Sequence, residues 1–187
     1  MKTTILKFFT LSAAIFAFST ISFGQNSSQA SANSSVRIIQ PILIEQEADM
    51  NFGVLIANTT GYDVTLNTAP GDLRTAPAGV ALTGGTTYQD TPSLASFTIT
   101  GEPNTSFAIA LPGSVNLSNG TETMVVDTFS SSLGATSTID GDGKVTLTST
   151  IDGDGKVTLN VGATLSVGAS QASGNYTNTF NVTVNYN

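Results

Sequence analysis

The chain has 187 residues, with 6 Lys+Arg against 13 Asp+Glu, and it contains no Cys, no His and no Trp. These absences exclude Ser-His and Cys-His nucleophile pairs, thiolate and imidazole metal sites, haem ligation and CxxC redox centres. With only 10% of residues charged, the stock of general acids and bases is thin, so neither an enzyme nor a cofactor is expected.

Residues 1–24 read as an export signal: Lys2 and Lys7 precede or flank an apolar run from Phe8 to Phe18, and Ser22 and Gly24 lie just before a cut at Gln25. The run is too short to span a bilayer, and no Cys stands at the cut for lipid attachment. The expected location is therefore the periplasm, the cell surface or the extracellular space, without stable membrane insertion. The remainder carries Arg37, Arg74, Lys144 and Lys156 against all 13 acids, a balance that argues against a nucleic-acid partner.

A polar leader at 25–35 (QNSSQASANSS) is followed by one β-sandwich domain at 36–187. No sustained 3.6-residue apolar period occurs there. Short runs rich in Thr, Val, Ile and Phe are instead separated by turn residues, which predicts an all-β, immunoglobulin-like antiparallel sandwich. The expected strands are Val36–Glu45, Phe52–Ala57, Tyr62–Asn67, Leu94–Thr100, Ser106–Leu111, Thr123–Phe129, Val157–Val167 and Tyr176–Tyr186. Pro41 cannot donate to a ladder, so at least half of the first strand belongs at an edge. Phe52, Phe97, Phe107, Phe129, Leu165 and Phe180 form the expected core, and Tyr62 and Tyr88 are the aromatic residues to inspect for exposure.

Glu45, Glu47 and Asp49 alternate and would share one face of a strand, but no second carboxylate cluster can be placed opposite them for a paired-carboxylate hydrolase. A tandem duplication at 136–159 follows, in which Thr136–Leu147 (TSTIDGDGKVTL) recurs unchanged as Thr148–Leu159. Each copy reads as strand, Asp-Gly-Asp-Gly turn, strand. An odd number of added strands would reverse the chain. The expectation is therefore that Val157 onward keeps its place in the sandwich, Thr148–Ile151 pairs back on it, and the first copy projects as an extra hairpin or loop. Asp140, Asp142, Asp152 and Asp154 offer oxygen ligands for calcium. Lys144 and Lys156 stand where a third acceptor belongs, however, and the closing bidentate Glu is missing, so turn chemistry accounts for these residues better than a metal does.

The carboxyl end, GNYTNTFNVTVNYN from Gly174, places Tyr176, Phe180, Val182, Val184 and Tyr186 against alternating polar residues, predicting a long strand with one buried face. It resembles the terminal strand of chaperone-usher pilus subunits, with Gly174 fourteenth from the end and Tyr186 second. In those subunits this strand is gripped by an assembly chaperone through β-strand addition. The resemblance marks Gly174, Tyr176, Phe180, Val182, Val184 and Tyr186 as a partner-binding strand.

From about Ala30 to Asn187 the chain also resembles a secreted bacterial family known only as domain of unknown function forty-four-oh-two. The match rests on Ile39-Gln40-Pro41-Ile42, Met50-Asn51-Phe52-Gly53, Phe97–Pro112 (FTITGEPNTSFAIALP), Val161-Gly162-Ala163-Thr164-Leu165, and Gly174-Asn175-Tyr176 with Val182–Tyr186. Some of these elements are similar to spore-coat-U-type and archaic pilin subunits. The resemblance implies a structural role at the surface, with self-association or an assembly chaperone acting through edge strands. Such pilins generally carry a disulfide, which this chain cannot form. Val36–Ile44 alternates around Gln40 and reads either as the first strand or as a donor segment. The alternative function is a secreted binding or adhesion module for a surface glycan or protein ligand.

Overall fold

Alternating side chains and frequent turn residues give eleven strands and no helix in the computed structural model, which describes residues 27–78, 80, 91–133, 137–139 and 145–187. The expected export signal, Tyr88, Asp140 and Asp142 lie outside the described residues. The strands are β1 (Leu43–Ala48), β2 (Tyr62–Leu66), β3 (Arg74–Thr75), β4 (Ala95–Thr100), β5 (Ser106–Leu111), β6 (Ser114–Ser118), β7 (Thr123–Ser131), β8 (Ser137–Ile139), β9 (Val145–Thr150), β10 (Lys156–Val167) and β11 (Thr183–Tyr186). The chain divides into two units, residues 1–37 and 38–187. The described part of the first, 27–37, is exposed and without regular structure. The second holds every described strand.

The larger, seven-stranded sheet is organised by β10, and the smaller one has the order β11-β5-β9-β8. All the pairings are antiparallel. β10 pairs with β4 through Lys156–Val161 and with β2 through Thr164–Val167. It also pairs with β7 through Val161–Ser166. Residues 161 and 164–166 thus have partners on both sides. Its alternate residues Leu159, Val161, Ala163, Leu165 and Val167 are buried, as are Phe107, Ile109 and Leu111 of β5. The inner faces of the two sheets therefore share one hydrophobic core, each buried Val, Leu, Ile or Phe side chain contributing about 1.5–3 kcal/mol by its removal from water.

Gly162 is needed by close approach, since a Cβ there would run into the Leu66 backbone carbonyl. Opposite it, the β7–β10 register slips between Gly162 and Thr164, and Thr128 takes up the extra residue at φ 49°. This is a bulge built on a β-branched residue that the left-handed region disfavours.

Five expected strands lie within two residues of β2, β4, β5, β7 and β10. The others are corrected by local chemistry. The first strand begins only after Pro41, at Leu43, and runs on to Ala48 against β4 with a bulge between Gln46 and Ala48. Phe52–Ala57 forms no strand, because Gly53 sits at φ 72° and its N–H donates to the Asn51 side-chain oxygen at 2.7 Å, turning the chain. β6, not expected, forms a hairpin with β7 across Asn119–Glu122. Of the expected core, Phe52, Phe107, Phe129 and Leu165 are buried, while Phe97 and Phe180 are half-buried against it.

The duplicated segment also departs from expectation. Val157 onward does stand in the sheet, as β10. Thr148–Thr150 does not pair back on it, however: it continues β9, which pairs with β5 in the other sheet. The second Asp-Gly-Asp-Gly turn thus carries the chain between sheets, and the first copy supplies the edge strand β8 and the start of β9.

Candidate functional site

The expected carboxyl-terminal strand is divided between the two sheets. Thr177 bridges to Ser118 at the end of β6, with both N–H···O bonds at 3.1 Å, whereas Thr183–Tyr186 pairs with Ala110–Phe107 of β5. Residues 178–182 cross between them. The Asn178 amide nitrogen donates to the Asn116 carbonyl at 2.8 Å, and its side-chain oxygen accepts from Thr179 N–H at 2.8 Å. These local bonds replace the ladder that alternation alone would predict.

From Phe180 onward the alternation holds. Phe180, Val182, Val184 and Tyr186 are half-buried and pack on the core, while Asn181, Thr183 and Asn185 are exposed. The Phe180 ring lies 5.2 Å from that of Phe129 at an interplanar angle of 51°. Gly174 and Tyr176 belong to a separate anchorage. One Glu122 oxygen accepts from the Gln171 amide at 2.8 Å, from Ala172 N–H at 3.1 Å and from the Tyr176 hydroxyl at 3.3 Å. That carboxylate ties the loop to the β6–β7 hairpin, so Gly174, which is exposed, and Tyr176 are not in one strand with the four residues that follow.

Tyr186 closes the fold where β11 meets the start of β1. Its hydroxyl accepts from Glu102 N–H at 2.7 Å and donates to the Gln40 carbonyl at 2.8 Å, while Gln40 N–H donates to a Glu102 carboxylate oxygen at 3.2 Å. The phenol fits because residue 101 is glycine, as a Cβ there would meet the Tyr186 hydroxyl. Tyr186 was legible as a special residue; Gln40, Gly101 and Glu102 carry no sequence signal that joins them to it. Upstream of this clasp, Val36 and Ile38 are 86% and 89% exposed. Ile42 and Ile44 pack on the core. The segment Val36–Ile44 is therefore divided, its second half belonging to the fold and its first half not engaged in any strand. Among the described residues, β11 ends the smaller sheet and is paired only with β5.

The carboxylates take other positions. Glu45 and Glu47 of β1, Thr98 and Thr100 of β4, and Lys156 and Thr158 of β10 line an open groove of about 430 Å³ with Asp152 and Asp154. The bulge in β1 takes Asp49 out of that row, and its carboxylate accepts instead from the Gln46 amide. Asp152 and Asp154 serve the turn: the Asp152 carbonyl accepts from Gly155 N–H at 3.0 Å, and an Asp154 carboxylate oxygen accepts from Lys156 N–H at 3.3 Å. Among the described residues no group of three or more acids is placed to hold a metal ion.

Tyr62, inspected for exposure, is buried, and its hydroxyl donates to the Ile56 carbonyl at 2.7 Å. Burial raises its pKa above the ordinary tyrosine value, against the smaller opposing pull of the Arg74 guanidinium. Arg74 donates to the Phe52 carbonyl at 2.7 Å.

A family model described as Domain of unknown function (DUF4402) matches residues 42–186. The chain belongs to this family. The matched part of the DUF4402 domain starts just after Pro41 and ends on Tyr186, so it takes in every strand and the phenol of the clasp, and leaves the leader outside. No curated protein and no solved structure gives a significant match to the chain. No helix among the described residues is long and apolar enough to cross a membrane.

Proposed function

We propose that this DUF4402 protein is an exported, non-catalytic structural subunit with an immunoglobulin-like sandwich, assembling in the manner of a pilus or fimbria by adding a strand at an open sheet edge. One observation carries the reading. Among the described residues β11 is paired on one side only, and the apolar row that leads into it, Phe180, Val182, Val184 and Tyr186, is half-buried. An edge strand with unpaired backbone groups and an apolar inner face is the surface on which an extended segment docks, its backbone completing the ladder and its alternate side chains filling the gaps. The exposed Val36 and Ile38 of a neighbouring subunit supply a segment of the right character, narrower than Val36–Ile44 because Ile42 and Ile44 are already in use.

A secreted binding or adhesion module is the second reading, supported by the groove between β1, β4 and β10, whose hydroxyls and carboxylates suit a polar ligand such as a glycan. Size-exclusion chromatography with light scattering on residues 25–187 separates the two. Strand addition predicts oligomers that disappear in a Val36→Ser, Ile38→Ser variant and are competed away by a Val36–Ile44 peptide. A monomer at high concentration, indifferent to the peptide, would overturn strand addition and leave the groove as the better lead.

A further inference from the structure

The first of the two units ends on an arginine, and the second begins at Ile38. Residues 27–41 are exposed and without regular structure. Up to Ser35 this stretch is built from Ser, Asn, Gln and Ala, and its charge and its apolar side chains then arrive together as Val36-Arg37-Ile38-Ile39. Order resumes abruptly after them. The Gln40 N–H donates to the Glu102 carboxylate, its carbonyl accepts from the Tyr186 hydroxyl, and Ile42 packs on the core.

An endopeptidase takes its substrate as an extended segment laid along its own cleft, so exposed irregular backbone is cut while backbone held in a ladder is withheld. Ser34–Ile39 offers such a segment, with the Arg37–Ile38 bond inside it and the clasp immediately beyond. The chain has two arginines, Arg37 and Arg74. Arg74 is half-buried in β3, paired with Leu66 of β2, and its guanidinium donates to the Phe52 carbonyl at 2.7 Å. Cutting after Arg74 therefore requires β3 to leave the sheet, an opening that limits the rate. Arg37 lies in no strand.

We propose that the Arg37–Ile38 bond is a processing site for an arginine-directed endopeptidase, which removes the leader and leaves residues 38–187 as an intact domain. A carboxylate at the base of such an enzyme's specificity pocket suits the planar guanidinium, and Val36 and Ile38 supply apolar contacts on either side of it. Hydrolysis adds the hydroxyl of water to the Arg37 carbonyl carbon and its proton to the Ile38 nitrogen, leaving a new carboxylate and a new amine; no other reactant is needed. The proposal stands apart from the assembly reading above. Where both hold, the cut parts Val36 from Ile38 and ends the subunit's capacity to donate a strand.

The test has two arms. In the first, the full chain is treated with an arginine-specific endopeptidase that spares lysine, and the products are read by intact mass and amino-terminal sequencing. The expected result is a product beginning at Ile38, formed about tenfold or more faster than any cut after Arg74 and unfolding in urea at the midpoint of the uncut chain. Arg37→Gln should keep that midpoint and resist the same enzyme. A first cut after Arg74, or a product that loses cooperative unfolding, overturns the proposal, because residues 38–187 would then not be the unit that Arg37 bounds. In the second arm the protein is recovered from cells of its own host. The expected amino terminus is Ile38 in the parent, with Arg37 retained in the Arg37→Gln position of the variant as an uncut Gln. A parent protein that still carries Arg37 overturns the proposal, since the bond would then be accessible but not used.

Discussion

Replacing Tyr186 by Phe removes one oxygen atom and keeps the ring, so it isolates the clasp from the packing of β11. Two hydrogen bonds are lost, one accepted from Glu102 N–H at 2.7 Å and one donated to the Gln40 carbonyl at 2.8 Å. At about 0.5–1.5 kcal/mol for each net bond, with partly buried backbone partners left short, the expected loss is about 1–3 kcal/mol. A mid-range loss of about 2 kcal/mol lowers Tm by roughly 4–8 °C for a domain of this size. Urea unfolding followed by circular dichroism reads the loss directly, as a lower midpoint at unchanged slope. If Tyr186 served assembly alone, the isolated subunit would not notice the change. A Tyr186→Phe variant within about 0.5 kcal/mol of the parent would refute the argument that this hydroxyl holds the start of β1, the β4–β5 turn and β11 together.

Four other outcomes follow from the packing. Gly162→Ala drives a Cβ into the Leu66 backbone carbonyl, where no side chain can yield, and should destabilise the subunit by about 3 kcal/mol in urea unfolding, the upper part of the range for overpacking. Ile151→Ala, at a fully buried position, should cost about 2–5 kcal/mol by the same measurement. Thr128→Asn should go the other way, raising stability by about 0.5–1 kcal/mol, because Asn tolerates the φ of 49° that a β-branched residue resists; a destabilised variant would show that the Thr128 side chain matters more than its backbone. Tyr62 has a folded-state pKa above its unfolded value, so its contribution is complete below the ordinary tyrosine pKa and is lost as pH rises through the raised one. Phenolate absorbance should show a late-titrating tyrosine that is missing in Tyr62→Phe, and its persistence in that variant would reassign the effect.

The sequence was most readable where burial and alternation agree. Ser106–Leu111 is β5 to the residue, because Phe107, Ile109 and Leu111 all enter the core. It was least readable where side chains bond to nearby backbone. Asn51 turns the chain at Gly53, Asn178 breaks the last strand, and Glu122 gathers a loop fifty residues further on. None of these effects alters the apolar pattern that strand prediction reads. The duplication shows the same limit more sharply. Two identical words fold into an edge strand with the start of its neighbour and into a crossing between sheets, since the partners each meets, and not its own residues, decide the outcome. For the candidate edge, the alternation from Phe180 to Tyr186 was visible, but the division of Val36–Ile44 was not, because it depends on which isoleucines find room in the core.

β10 has a consequence for the order in which this protein can be made. Without it the larger sheet falls into separate pairs, β1 with β4, β2 with β3 and β6 with β7, since β4, β2 and β7 are joined only through β10. Two-stranded pieces of this kind are at best marginally stable in water. A growing chain halted before Lys156 therefore has three unlinked strand pairs of the larger sheet, beside the β5-β9-β8 part of the smaller one. Consolidation of the larger sheet therefore waits for a strand that emerges after all its partners and must capture some lying about a hundred positions behind it, long-range pairings of the kind that slow folding.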